Sequence, residues 1–469
     1  MKTRSTPSGT TKRGKLRGLV FASAFIALAA AGLSLRAPKE EAKPNALASV
    51  STAENAAHAP ASPVSSVPTF DDAVADLKKK KDLTTILADA EPGSWSRRAA
   101  VASLAMGYAQ LTGDYDNYAA ADKALDQAFA IARSSIADEH VGPLLLKAQL
   151  SYELHRLRPA LDALKAPQEQ AEYFHDQAQL SEITSLRGAI TCQLGDYDTG
   201  IAMLKKSIAL GPSAGHKQRL AIALAKVGGD DEAQRIFKET AAVTEAPRSL
   251  AWIEMQRAKM ALERGDRVAG RKHLENANEL FPGFWQTEEH LAELDAQEGH
   301  TERAITAYTA LVKKTNDPEF MDALAELIAD RNPEEAKRLQ EKSNAIYEDR
   351  LVKLPETSYG HALEHFLKLV PDPARGLAIA KKNFALRPNG EAGTRLAQAY
   401  VRAGRIAEAK TEIMKVLATK WVWSETYATA AVIFRLANDA GAKAMEEKAH
   451  ARNPHALEEI AWLKPVPTA

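Results

Sequence analysis

SEITSLRGAITCQLGDYDTGIAMLKKSIALGP, residues 181–212, is the stretch that decides the fold. Two helix-spaced apolar runs flank Gly195 and Asp196, and Pro212 stops the second run. The same punctuation returns in GDDEA from Gly229, GDRVAG from Gly265, GHTERA from Gly299 and GRIAEA from Gly404. With Gly195, Gly228, Gly265 and Gly299 as turn positions the intervals are 33, 37 and 34 residues (228 − 195, 265 − 228, 299 − 265). A period in that range marks stacked two-helix units. One such unit exposes apolar surface on both flat sides, which only a neighbouring unit can bury. The expected class is therefore all-α, an α-solenoid of roughly ten helical hairpins between Trp95 and Pro454.

Composition agrees. The 469 residues are 45% hydrophobic but only 6% aromatic, a balance that suits helices rich in Ala, Leu, Glu, Lys and Arg. The 61 basic and 61 acidic side chains cancel, yet residues 1–17 hold six of the cations and no carboxylate, which leaves 55 against 61 (61 − 6 = 55) beyond them. A mildly acidic body lacks the basic field that general nucleic-acid binding requires. Cys192 is the single cysteine, so neither an internal disulfide nor a cysteine zinc site can form, and it reads as a buried apolar residue.

Residues 18–35, GLVFASAFIALAAAGLSL, carry no charge and follow the basic run. This pattern predicts a basic cytoplasmic tail at 1–17 and a signal anchor or signal peptide at 18–36, with Ala29–Ala31 offering a cleavage site. The Ala/Pro-rich stretch 37–69 is expected to be a disordered linker, and 70–465 the superhelical body. The expected location is the inner membrane of a Gram-negative cell, single-pass through 18–36 with the body in the periplasm. Release into the periplasm after cleavage is the alternative.

At its clearest the repeat resembles the tetratricopeptide repeat. In that family a small residue lies seven positions before the turn glycine and another five after it, with a large apolar residue four further on. Gly188, Gly195, Gly200 and Leu204 match this pattern. Carried along the chain, the frame places Ala233, Gly270, Ala304 and Ala409 at the small position, and Phe237, Leu274, Tyr308 and Ile413 at the large one. Weaker units at Ala160, Ala336, Gly376 and Ala442 lack the turn glycine, and a less regular joint is expected around Asn332–Pro371.

The resemblance implies a concave groove lined by first helices and suited to a peptide or helix. The frame assigns to it Gln218, Ile222, Lys226, Trp252, Gln256, Lys259, Glu263, Gln286, His290 and Glu293, with Trp252 as apolar anchor. The Lys/Asn clamp by which one subgroup holds a terminal carboxylate is missing: Gln218 and Ile222 occupy two of its positions. His361-Ala-Leu-Glu364-His365 has the H-x-x-E-H spacing of inverted zinc peptidases, but it falls on a repeat helix and reads as structural. Trp421-Val-Trp423 is expected to pack between adjacent repeats. No phosphate loop, nucleophile elbow or dinucleotide fingerprint occurs. The function expected is a non-catalytic, monomeric adaptor for other envelope proteins, with no cofactor, metal, small-molecule substrate or nucleic acid. The alternatives are a zinc-dependent envelope hydrolase using 361–365, and a structural or self-assembling repeat.

Overall fold

The computed structural model describes residues 67–134 and 141–466. The basic tail, the apolar segment 18–36 and the linker as far as residue 66 lie outside them. Among the described residues no helix is long and apolar enough to cross a membrane.

The described chain is helical and has no strand. Helix α1 (Phe70–Ala90) packs on the first hairpin, α2 (Trp95–Thr112) with α3 (Tyr115–Ser134). The second hairpin is α4 (Val141–Glu153) with α5 (Leu157–Ala163), followed by the single α6 (Lys165–Tyr173). Four regular hairpins come next: α7 (Gln177–Gln193) with α8 (Tyr197–Leu210), α9 (Ala214–Lys226) with α10 (Asp230–Ala241), α11 (Pro247–Glu263) with α12 (Arg267–Leu280), and α13 (Trp285–Gln297) with α14 (Thr301–Thr315). The seventh is α15 (Pro318–Ile328) with α16 (Pro333–Lys353), and the eighth is α17 (Pro355–Glu364) with α18 (Pro373–Leu386). The ninth pairs α19 (Gly390–Arg402) with α20 (Ile406–Leu417), the tenth α21 (Ser424–Leu436) with α22 (Ala442–Arg452), and the short α23 (Ala456–Glu459) follows.

Local chemistry explains the turns. Gly195 takes φ 90°, a left-handed value that ends α7 without the Cβ clash other residues meet, and Asp196 caps α8 by accepting from the Thr199 N–H at 3.1 Å. Gly228, Gly265, Gly299 and Gly404 share the positive φ. In two units without the glycine, His155 and Asn438 hold the left-handed position instead, at φ 57° and 53°. Gly188 and Gly200 face each other so closely that a Cβ on Gly200 would overlap Cys192 Sγ and the Gly188 carbonyl. Leu204, Phe237, Leu274, Tyr308 and Ile413 are all fully buried. Around the expected joint, α17 runs on into a π-helical turn, His365–Leu369.

Successive turns of the superhelix touch, which the repeat pattern alone does not convey. The turn of the third hairpin meets the loop entering the ninth: Asn389 Nδ2 donates to the Gln193 carbonyl at 3.2 Å, and the Gly390 N–H to the Tyr197 hydroxyl at 3.0 Å. The fourth meets the tenth, where the Val422 N–H donates to the Lys226 carbonyl at 2.9 Å. The fifth meets the residues after the tenth, with Arg452 Nε donating to Glu263 Oε1 at 2.8 Å. Six hairpins therefore make one superhelical turn. One apolar cluster spans both turns, joining Leu204, Phe237 and Ile253 to Ile413, Trp421 and Ile433.

Candidate interior binding site

Closure turns the inner wall into an interior. Of the residues assigned to the groove, Gln218, Lys226, Trp252, Gln256, Glu263, His290 and Glu293 are buried, and Ile222, Lys259 and Gln286 are half-buried. An open trough along all ten positions is thus not what the fold presents. Trp252 lies apart from the rest. It belongs to a buried core with Phe70 of α1, Leu111 of α2, Met255 and Phe281.

Lys259, Glu263, His290 and Glu293 come together. They line a central cavity of about 150 Å³, whose opposite wall is supplied by the last two hairpins through Glu391, Thr394, Trp421, Trp423 and Glu425. Asn453 and Glu459 complete it from beyond α22. Ile222, Lys226 and Gln256 line a smaller neighbouring space with Trp423. The Trp421–Trp423 segment packs between adjacent repeats as expected, Trp421 lying against Gly390 of the ninth hairpin and donating from Nε1 to Thr426 Oγ1 of the tenth at 2.9 Å, and it does more than that. It is extended at Trp423 (φ −145°, ψ 137°) and packs across the superhelical turn, with Trp421 beside the Tyr197 ring at 6.1 Å and stacked on Trp423 at 5.5 Å. The Lys226 ammonium lies 5.7 Å from the Trp421 ring.

Electrostatics in this interior are set by burial. Glu263 accepts from Arg452 and from the Ser424 N–H at 2.7 Å, yet burial pushes its carboxyl up to about 7. Glu459, held by Asn453 Nδ2 at 3.2 Å, is pushed up to about 7 for the same reason. Burial lowers Lys259, against the pull of Glu289 and Glu293. Burial also opposes a charged His290, but Glu289 and Glu293 outweigh it and hold the imidazole above its ordinary value. Glu289, His290 and Glu293 bring possible metal-ligating atoms within 4.8 Å of one another, and the nearby Lys259 already supplies positive charge there.

In the H-x-x-E-H string each imidazole answers to a different carboxylate. His361 Nδ1 pairs with Glu319, while His365 is fully buried with Nδ1 2.9 Å from Asp322 Oδ2 and Nε2 3.2 Å from Asn344. Glu364, pushed up to about 7 by burial, faces Lys368 at 3.8 Å. This is a packed polar network between α15, α16 and α17. Cys192 is buried as expected, and burial pushes its thiol up to about 12.

The sequence frame, which also turns Thr394, Gln398 and Arg402 inward, found one wall of the cavity and only Thr394 of the other. Glu391, Trp421, Trp423 and Glu459 sit in loops, at a helix start and in the tail beyond the last repeat, where no inner-face periodicity marks them. The paired tryptophans in a non-helical stretch were the one available signal.

The fold defines the class, an all-α superhelix of tetratricopeptide-like hairpins. No protein-family model matches the chain, and no curated protein matches it. Among solved structures it is similar to yeast Tom70, at 16% identity and a TM-score of 0.43 over 84% of this chain and 90% of that one. A human IFIT1 dimer with m7Gppp-AAAA is similar at 14% identity and a TM-score of 0.37, over 82% and 95%. The C-terminal part of a TPR repeat-containing protein from Cytophaga hutchinsonii is similar at 14% identity and 0.32, over 53% and 98%.

Proposed function

We propose that the chain is a non-catalytic protein-interaction adaptor of the bacterial cell envelope, anchored through residues 18–36 with its repeat body in the periplasm. The observation that carries the binding role is the seating of Trp421-Val422-Trp423. This extended segment lies against the third to fifth hairpins, held by the Val422–Lys226 backbone hydrogen bond and by the Trp421–Tyr197 ring contact, with Trp423 beside Lys226, Gln256 and Lys259. An inner wall that accepts an extended, aromatic-flanked segment of its own chain has the chemistry to accept one from a partner. The partner's segment would lie at the mouth of the neighbouring cavity and place one side chain in it beside Lys259, Glu263, His290 and Glu293, the part of the expected groove left unfilled. Anchoring rests on the basic tail and the uncharged 18–35 run.

The test is photocrosslinking in living cells with a photoreactive residue at Trp423 or Gln297 on the cavity, or at Val268, which is 84% exposed on α12. The same defined protein captured from both cavity positions, and not from Val268, supports the reading. Capture from Val268 alone contradicts it. A reporter fused after the body that reads as cytoplasmic contradicts the location.

A further inference from the structure

The cavity between the two superhelical turns has a wall chemistry of its own. Five carboxylates, Glu263, Glu293, Glu391, Glu425 and Glu459, line it against Lys259, Arg267 and the His290 imidazole. Two of the five are neutralised from outside: Arg452 binds Glu263 at 2.8 Å and Arg395 binds Glu425 at 2.9 Å. Glu391 and Glu459 form no ion pair among the described residues, and Glu459 receives only the Asn453 amide. The same wall carries His290, whose side chain is 6% exposed and whose Nδ1 makes no hydrogen bond although Glu289 Oε2 lies 3.0 Å away. Buried Trp421, packed on Trp423 and Tyr197, and half-buried Trp423 supply apolar wall, and Thr394, Ser424 and Thr426 supply hydroxyls.

Carboxylates that make no direct ion pair, Glu391 in the wider field of Lys226, Lys259 and Arg395 and Glu459 in that of Arg267, favour one kind of guest beside the tryptophan rings. Such a guest carries a positive charge for the carboxylates and an apolar or delocalised surface for the rings. Size narrows it further, because about 150 Å³ takes a group of roughly benzene dimensions. An alkylammonium or guanidinium head with part of its stem fits that limit, whereas a helix does not. Entry is by the half-buried rim of Arg267, Gln297, Glu391 and Glu459.

We infer that this cavity is a binding site for an organic cation, an alkylammonium or guanidinium group, recognised by Glu391 and Glu459 and by the Trp421–Trp423 pair. The cation can come from a basic side chain of a polypeptide or from a free amine. The site therefore does not depend on the adaptor reading and survives if no protein partner is found.

The experiment is calorimetric titration of the full chain in detergent at pH 8, where both raised carboxyls are ionised. Three probes are used: N-acetyl-arginine amide, 1,4-diaminobutane, and the neutral isostere N-acetyl-citrulline amide. The expected result is saturation at one site per chain by at least one cation, with the citrulline compound at least tenfold weaker. Saturation by the arginine compound alone assigns the site to a polypeptide side chain, and by the diamine alone to a free amine. Glu391→Gln and Trp423→Leu should each weaken binding about tenfold, and Val268→Ala should leave it unchanged, with folding of every variant checked by circular dichroism. Failure of both cations to bind, equal binding of the citrulline compound, or unchanged binding in folded Glu391→Gln and Trp423→Leu chains overturns the inference.

Discussion

The Val422 N–H donates to the Lys226 carbonyl at 2.9 Å, tying the loop before the tenth hairpin to the turn of the fourth. Contacts of this kind couple hairpins six units apart, so the body should unfold as one cooperative unit rather than fray from its ends as an open solenoid can. Val422→Pro removes the donor and leaves the Lys226 carbonyl without it. The expected loss is about 1–3 kcal/mol, with a broader or split denaturation curve measured by circular dichroism. An unchanged midpoint and slope would mean that the closing contact is dispensable.

Close packing inside a hairpin makes a second prediction. A Cβ at Gly200 meets Cys192 Sγ and the Gly188 carbonyl, whereas one at Gly299 meets nothing within 4 Å and suffers only from φ 83°. Gly200→Ala should cost about 2 kcal/mol despite Ala's better helix propensity. Gly299→Ala should cost about 1 kcal/mol. Urea titration of both variants tests the order, and a reversed order would refute the packing argument.

Glu153 predicts a pH dependence. Burial pushes its carboxyl from the ordinary 4.5 up to about 8, against the pull of Arg219. The folded chain then keeps a proton that the unfolded chain releases, so this residue's contribution is complete below about 4.5 and is lost as pH rises through 8. Glu153→Gln should therefore gain stability relative to the parent progressively between pH 5 and 8. Melting temperatures of the pair across that range check it, and a constant difference would contradict the assignment.

The 361–365 network should behave structurally. His365→Ala leaves the buried Asp322 carboxylate with only the Ser343 hydroxyl as partner and should destabilise the fold by about 2–3 kcal/mol. Treatment of the parent chain with EDTA should leave its melting temperature unchanged. A drop on chelation, or zinc recovered at one ion per chain, would restore a metal role to His361 and His365.

Much of the fold was legible because the turn chemistry is local. Gly195, Gly228, Gly265, Gly299 and Gly404 could be read as left-handed turn positions, and Leu204 and Phe237 as core, from spacing alone. Closure was not legible, since it depends on the small rotation between neighbouring hairpins summed over six of them, and no residue pattern records that sum. The site shows the same division. Lys259, Glu263, His290 and Glu293, placed inward by periodicity, line the cavity, while Trp252, placed inward with them, lies in the buried cluster that also holds Phe70 and Phe281. Glu391 and Glu459 became site residues only when the second turn came to rest on the first.

Closure is the claim on which the interior site depends, and Asp198 and Lys420 report it most directly. Their side chains pair at 2.6 Å across the two turns and are 68% and 64% exposed. Spin labels at Asp198→Cys and Lys420→Cys can be attached selectively, because Cys192 is the only native thiol and is buried. Pulsed electron resonance should return a single narrow distribution at the short end of the measurable range. A broad distribution at long separations, as an open spiral would give, would contradict the closed superhelix and the cavity built from it.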